Sequence, residues 1–301
     1  MTAVGVPLEF DAVGKRFGGV EAVSDLSFRV QPGRVTGFLG PNGAGKTTTL
    51  RMLLGLVQPT SGSATIGGRR YADLDRPARA VGASLEAAFH PGRSGRNHLR
   101  VLARGAGIPA DRVATVLRLV GMEPYADRRV GGYSLGMRQR IGLAAALLGD
   151  PGVLVLDEPI NGLDPEGIRW IRRLLRDLAQ EGRTILVSSH LLSEVQQTVD
   201  DVVVIAGGRL RFAGPLDGLS HDGGGAVADA EDRAALAAAL EAAGHRVTPS
   251  DAGLEVPGVE PAEVGRIALA AGVALRALAE RRAGLEDDFL ALVADQPGGA
   301  P

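Results

Sequence analysis

At 301 residues and 45% apolar content, the chain can bury a core as one large domain or two smaller ones. Its 33 basic and 35 acidic residues leave a net charge of −2, so no basic excess supports nucleic acid as the main partner. The absence of cysteine excludes a disulfide framework and a thiolate metal site, and leaves the redox compartment open.

Residues 1–7, Met-Thr-Ala-Val-Gly-Val-Pro, lack a basic region followed by an apolar run, so no secretory signal is expected. No apolar stretch nears the roughly 20 residues that span a bilayer. Ile141–Leu148 is the longest helix-like candidate and is far too short. A soluble, cytoplasmic protein is expected, with any membrane role carried by a partner.

Leu8–Val13 and Asp25–Val30 alternate and predict strands, the second ending at the turn Gln31-Pro32-Gly33. Between them lies Lys15-Arg16-Phe17-Gly18-Gly19, where Phe17 can either edge a core or stack on a purine ring. Val35–Leu39 is short, apolar and β-prone, and predicts a buried strand. It runs into Gly40-Pro41-Asn42-Gly43-Ala44-Gly45-Lys46-Thr47-Thr48, which matches G-x-x-x-x-G-K-[ST] at every fixed position. Leu50–Leu56 follows with apolar residues at helical spacing. Strand, glycine loop and helix form the context this phosphate-cradling motif requires. Its backbone N–H groups and the helix N-terminus favour an anion. Lys46 is expected on the β- and γ-phosphates and the Thr47 hydroxyl on Mg²⁺.

Further strands are predicted at Ser61–Gly68 and Val81–Leu85, the latter closed by Glu86. Helical patterns over Asn97–Gly105, Asp111–Val120 and Ser134–Leu148 predict an inserted helical subdomain over about 87–150. The α/β pattern resumes at Val153–Leu156, which ends in Asp157 and Glu158, at the strand end where open α/β sheets place ligands. Pro165–Gln180 predicts a helix capped by Asp164. Thr184–Ser189 predicts a buried strand ending at His190, and Val202–Ile205 and Arg209–Phe212 complete the sheet.

The glycine-rich 220–225 reads as a linker between an α/β domain over 1–219 and a small α+β accessory domain over 226–295. The second domain is expected to hold a strand near Ala226, a helix over Glu231–Ala243 and a hairpin over Val247–Val256. A helix over Pro261–Ala271, a strand near Val273–Leu278 and a last helix from Gly284 follow. Residues 296–301 read as a disordered tail.

A carboxylate at a strand tip can hold Mg²⁺, and Asp157 is so placed; Glu158 can then polarise a water. Side chains alternate along a strand, so the two acids are expected to aim at different targets. His190, at the next strand tip, can bridge water, γ-phosphate and Glu158.

These residues together resemble the ATP-binding subunits of ABC transporters, with ordered matches over about Leu8–Leu219. The phosphate loop at 40–47 is followed by a signature-like segment at 133–140, Tyr-Ser-Leu-Gly-Met-Arg-Gln-Arg. Val153–Glu158 matches the Walker B strand and Asn161–Pro165 the D-loop. His190 matches the switch histidine and Phe17 the adenine-stacking aromatic. The resemblance implies a P-loop NTPase core with an antiparallel β subdomain and a helical subdomain. It also implies ATP hydrolysis with Mg²⁺, and a homodimer or paired ATPase subunit that sandwiches ATP head to tail. Ser134 and Gly136 would then meet the γ-phosphate bound to the partner, with Asp164 of the D-loop at the same interface. An integral membrane permease, holding the subunit at the inner face of the membrane, would use the motion. No nucleic acid is expected. The alternative, a non-transport ABC ATPase acting on nucleic acid or ribosomes, is opposed by the single phosphate loop, the lack of a heptad arm and the lack of cysteine.

The chain departs from the family pattern twice. Tyr133, Leu135 and Met137 replace the usual signature residues, while Ser134 and Gly136 remain. Glu86 stands where the family has the Q-loop glutamine. By itself Glu86 reads as a solvated turn carboxylate; within the resemblance it is a candidate Mg²⁺ ligand with a hard, charged oxygen. A Glu here, with Ser-Leu-Gly-Met, is similar to exporter subgroups linked to peptide-antibiotic resistance and lantibiotic immunity. The loop 87–98 is an ordinary connection or the permease contact.

Overall fold

The computed structural model describes residues 4–85, 89–219, 225–280 and 285–294. Glu86 and most of the 220–225 segment lie outside them.

Strands β1 (Leu8–Phe17) and β2 (Val20–Val30) open the chain. β1 reaches further than alternation predicts, because its pairing with β2 shifts register three times between Phe10 and Arg16. Such bulges break the period-2 pattern without ending the strand. β3 (Val35–Leu39) is buried at all five positions, as a strand covered on both faces must be. Helix α1 (Lys46–Leu53) and β4 (Ser61–Ile66) come next, then the one-turn α2 (Pro77–Ala80) and β5 (Val81–Ser84).

Three helices follow one another, α3 (Gly95–Gly105), α4 (Asp111–Leu119) and α5 (Leu135–Ala146). They form the helical insertion. The alternation then returns with β6 (Val153–Leu156), α6 (Pro165–Gln180) and β7 (Thr184–Ser189). The short α7 (Leu192–Val195) and the strands β8 (Asp201–Ala206) and β9 (Arg209–Pro215) complete this part.

The strands form two sheets. β2-β1-β4 is antiparallel, and β5-β6-β7-β3-β8-β9 is parallel except for β9. A shared core binds them. The Phe10 and Phe28 rings stack at 4.2 Å, and Phe28 meets Phe38 of β3 at 5.5 Å. β3, β6 and β7 run parallel, so Gly40, Asp157 and His190 leave the sheet at the same edge. That edge is where a doubly wound sheet binds ligands.

A second compact unit spans Asp217–Ala291. It contains β10 (Gly225–Ala230), α8 (Arg233–Ala242), β11 (Thr248–Ser250), β12 (Gly253–Pro257), α9 (Pro261–Ala270) and β13 (Leu275–Glu280). Its sheet order, β11-β12-β10-β13, is antiparallel throughout. This is the split β-α-β-β-α-β topology of ferredoxin-like domains. Leu236 and Leu240 of α8 and Val264 and Ala268 of α9 cover Ala226, Ala228 and Val256 of the sheet. Gly225, a linker residue by composition, is instead the first residue of β10, paired with Pro257. A Cβ there would lie 2.7 Å from the Val256 carbonyl oxygen, so glycine serves close strand approach rather than flexibility. A last helix, α10 (Leu285–Ala294), follows β13.

Candidate active site

The loop after β3 needs its glycines. A Cβ at Gly40 would sit 2.3 Å from the Ile205 carbonyl oxygen, and one at Gly45 2.7 Å from that of Ala22. Gly43 and Gly45 also take φ of 81° and 102°, in the left-handed region that L side chains resist. The loop lines an open depression from Pro41 to Thr48, together with Ala22 and Glu158. Asn42, Ala44 and Thr48 are therefore wall residues of the same depression as Lys46 and Thr47.

Lys46 begins α1 and is buried. Its ammonium donates to the carbonyl oxygens of Gly40 at 2.6 Å and Pro41 at 3.3 Å, and lies 3.6 Å from Glu158 Oε1. Burial lowers its pKa; the charges of Glu158 and Asp157 oppose that shift. Thr47 Oγ1 donates to Asp157 Oδ2 at 2.8 Å. The other oxygen of Asp157 accepts a very short hydrogen bond from Ser188.

Glu158 points elsewhere. Its Oε2 accepts from His190 Nδ1 at 3.0 Å and from Asn161 Nδ2 at 3.4 Å. The two neighbouring acids do diverge, but not through strand alternation, since β6 ends at Leu156. Glu158 has φ 47°, and this left-handed turn redirects its side chain. Its N–H is held by Ser188 Oγ at 2.9 Å. Ser188 thus ties both acids to β7. Leu156 pairs with Val187 in the β6–β7 register, which puts Ser188 beside Asp157.

Ser188 and the nearby Glu194 escape sequence reasoning, and Asn161 is legible only as the start of the D-loop match, not as a partner of Glu158. The only sequence signal for Ser188 is a serine pair ending an otherwise apolar strand.

Gly136 lies against the loop that follows Glu158: a Cβ on it would meet the Gly162 carbonyl oxygen at 3.4 Å. Ser134 caps α5 by accepting from Met137 N at 3.2 Å, and Asp164 caps α6 by accepting from Gly167 N at 2.8 Å. Tyr133 is buried, its hydroxyl donating to the Tyr125 carbonyl at 2.7 Å. Leu135 is 56% exposed and lies on Gly162. A Cβ on Gly162 would approach Leu135 Cδ2 to 2.1 Å, and Gly162 has φ +74°. Gly162→Ala is therefore expected to lower unfolding free energy by about 1–3 kcal/mol, read from urea titrations. A change within error would show that Leu135 swings aside freely.

Phe17 is 51% exposed at the end of β1, so it is not a core aromatic; the Lys15 ammonium sits 5.0 Å from its ring centre. Glu86, the remaining candidate ligand, is outside the described residues.

A family profile described as ABC transporter matches residues 23–161, and a profile for a domain of unknown function matches 227–286. The bacitracin transport ATP-binding protein of Bacillus licheniformis is 44% identical over 209 residues, covering 68% of this chain and 68% of that protein. The Nod factor export ATP-binding protein I of Burkholderia lata is 43% identical over 209 residues, covering 67% of this chain and 69% of that protein. Among solved structures, an ATP binding subunit of an ABC transporter superposes with a TM-score of 0.64 at 29% identity, over 70% of this chain and 91% of that one. A dimeric ATP-binding cassette in a post-hydrolysis state with ADP and Pi shares the fold, with a TM-score of 0.63 at 21% identity over 69% of this chain and 98% of that one.

Proposed function

Because this chain belongs to the ATP-binding proteins of ABC transporters, we propose that its site hydrolyses ATP to power a separate membrane permease that exports a drug, an antibiotic or a peptide. The observation that carries this reading is the placement of Glu158. It lies 3.6 Å from the phosphate-loop lysine and 3.0 Å from His190, at the sheet edge where the loop begins.

The residues take these roles. The loop Gly40–Thr48 and Lys46 hold the triphosphate through backbone N–H groups and one buried cation. Phe17 stacks on adenine. Thr47 and Asp157 present two hard oxygens 2.8 Å apart at the start of α1, a donor set that fits Mg²⁺, with Glu86 as a further candidate ligand. Mg²⁺ bound there neutralises charge on the phosphate oxygens. Glu158 orients the attacking water and accepts its proton, and His190 steadies the Glu158 carboxylate. Water adds to the γ-phosphorus, the bond to the β-phosphate oxygen breaks, and ADP and phosphate leave.

In this reading Ser134, Gly136 and Asp164 complete the phosphate site of a second ATPase subunit, in a homodimer or a paired assembly. Ser134 and Asp164 each head a helix as its oxygen-bearing N-cap, which supports an anion-facing role for them in that interface. Among the described residues, no helix is long and apolar enough to cross a membrane. In this reading the subunit sits on the cytoplasmic face of the membrane, held there by the permease.

The test is affinity purification of the full chain from membranes of its own host in mild detergent. A multi-span membrane protein is expected to co-purify in stoichiometric amount. Recovery of ribosomes or nucleic acid in an ATP-dependent manner, with no membrane protein, overturns the reading.

A further inference from the structure

We propose that Glu194 is a positioning residue for His190, acting through the hydroxyl of Ser189. The proposal rests on the ATPase reading above.

His190 leaves β7 at a turn, and a turn fixes an imidazole only if something fixes the turn. Ser189 does this. It is buried, and its hydroxyl accepts from Leu191 N at 3.1 Å, spanning His190. The same hydroxyl faces two acceptors, the Leu191 carbonyl oxygen at 3.0 Å and Glu194 Oε2 at 2.8 Å. One hydroxyl proton serves two acceptors, and the carboxylate is the stronger. The Glu194 carboxylate therefore sets the orientation of the hydroxyl that closes the turn.

Glu194 is itself held from the other side. Arg172 of α6 donates to its backbone carbonyl oxygen at 2.8 Å and to Gln197 Oε1 at 2.6 Å. Leu192 and Val195 bury the opposite side of α7. Packing and Arg172 thus anchor the helix backbone, which leaves the Glu194 side chain free for another task. That side chain reaches the active site: a ring nitrogen of His190, an oxygen of Glu158 and an oxygen of Glu194 all lie within 4.8 Å of one another. His190 is placed from both ends, its ring by Glu158 and its backbone by the Ser189–Glu194 bond.

The prediction separates the hydrogen bond from the charge. Glu194→Gln keeps an acceptor oxygen and should leave kcat for ATP hydrolysis within about threefold of wild type. Glu194→Ala removes the acceptor and should lower kcat by about tenfold with KM for ATP within about twofold. Ser189→Ala should lower kcat at least as far. The double variant Ser189→Ala/Glu194→Ala should fall no further than Ser189→Ala alone, because both changes cut one link. Wild type and the four full-length variants are assayed for phosphate release across ATP concentrations. A Gln variant as damaged as the Ala variant, additive losses in the double variant, or wild-type kcat in Glu194→Ala each overturn the proposal. If the wild-type chain with its permease hydrolyses no ATP, the ATPase reading fails, and this proposal falls with it.

Discussion

Glu158→Gln should lower the ATP turnover of the full chain by about 10²–10⁴-fold, the range expected when a positioned proton acceptor is removed. The amide keeps the shape of the carboxylate and can still accept from His190 Nδ1 and Asn161, which contact Oε2 at 3.0 and 3.4 Å. What it loses is basicity and the negative charge 3.6 Å from Lys46. ATP affinity should therefore stay within about threefold of wild type or tighten, since Lys46 faces one anion fewer. A bound but unhydrolysed triphosphate should also hold two subunits together, visible as an ATP-dependent dimer on size exclusion. Turnover equal to wild type would remove Glu158 from the chemistry, and His190 with it as its partner.

Lys46→Ala should weaken ATP binding by at least about a hundredfold, because it deletes the one buried cation on the loop. It should also destabilise the protein by about 1–3 kcal/mol. The ammonium satisfies the carbonyl oxygens of Gly40 and Pro41, and truncation strips both of that donor. Glu158 loses its neighbouring cation in the same step. Nucleotide titration and urea unfolding of the same preparation read the two effects separately. Lost binding with an unchanged unfolding midpoint would mean that water takes over both carbonyls. Retained binding would move the phosphate contact away from Lys46.

Much of the fold is legible along the chain because punctuation marks it. α6 runs from Pro165 to Gln180 as the Asp164-Pro165 cap and its amphipathic pattern predict, and β7 runs from Thr184 to Ser189 as its apolar run predicts. β1 is longer than it reads, because its bulges hide alternation beyond Val13. In the second unit each strand and helix is visible, yet the order β11-β12-β10-β13 is not, since pairing between β10 and β13 is a non-local fact.

The site divides in the same way. The glycine loop, Asp157, Glu158 and His190 stand out because each occupies a strand tip with a distinctive residue type. Ser188 and Glu194 do not, because their importance comes from what register and a one-turn helix bring beside them. Strand alternation predicts the divergence of the two acids, but a left-handed residue produces it, one that a sequence pattern does not mark, since glutamate rarely adopts that conformation.

The strand order has a consequence for how the protein comes into being. β3, which carries the phosphate loop, lies between β7 and β8: Val35 pairs with Ile185 and Thr36 with Asp201. During synthesis the loop and the whole helical insertion leave the ribosome before either neighbour of β3 exists. Until then an apolar strand with two open edges must wait, exposed to misassociation. Ile205, whose carbonyl crowds Gly40, belongs to β8 as well. The phosphate loop is thus made early, yet the strands that flank its own strand are made well over a hundred residues later. A nascent chain is expected to bind ATP only once β8 has been made, which ATP binding by ribosome-arrested chains of increasing length would check.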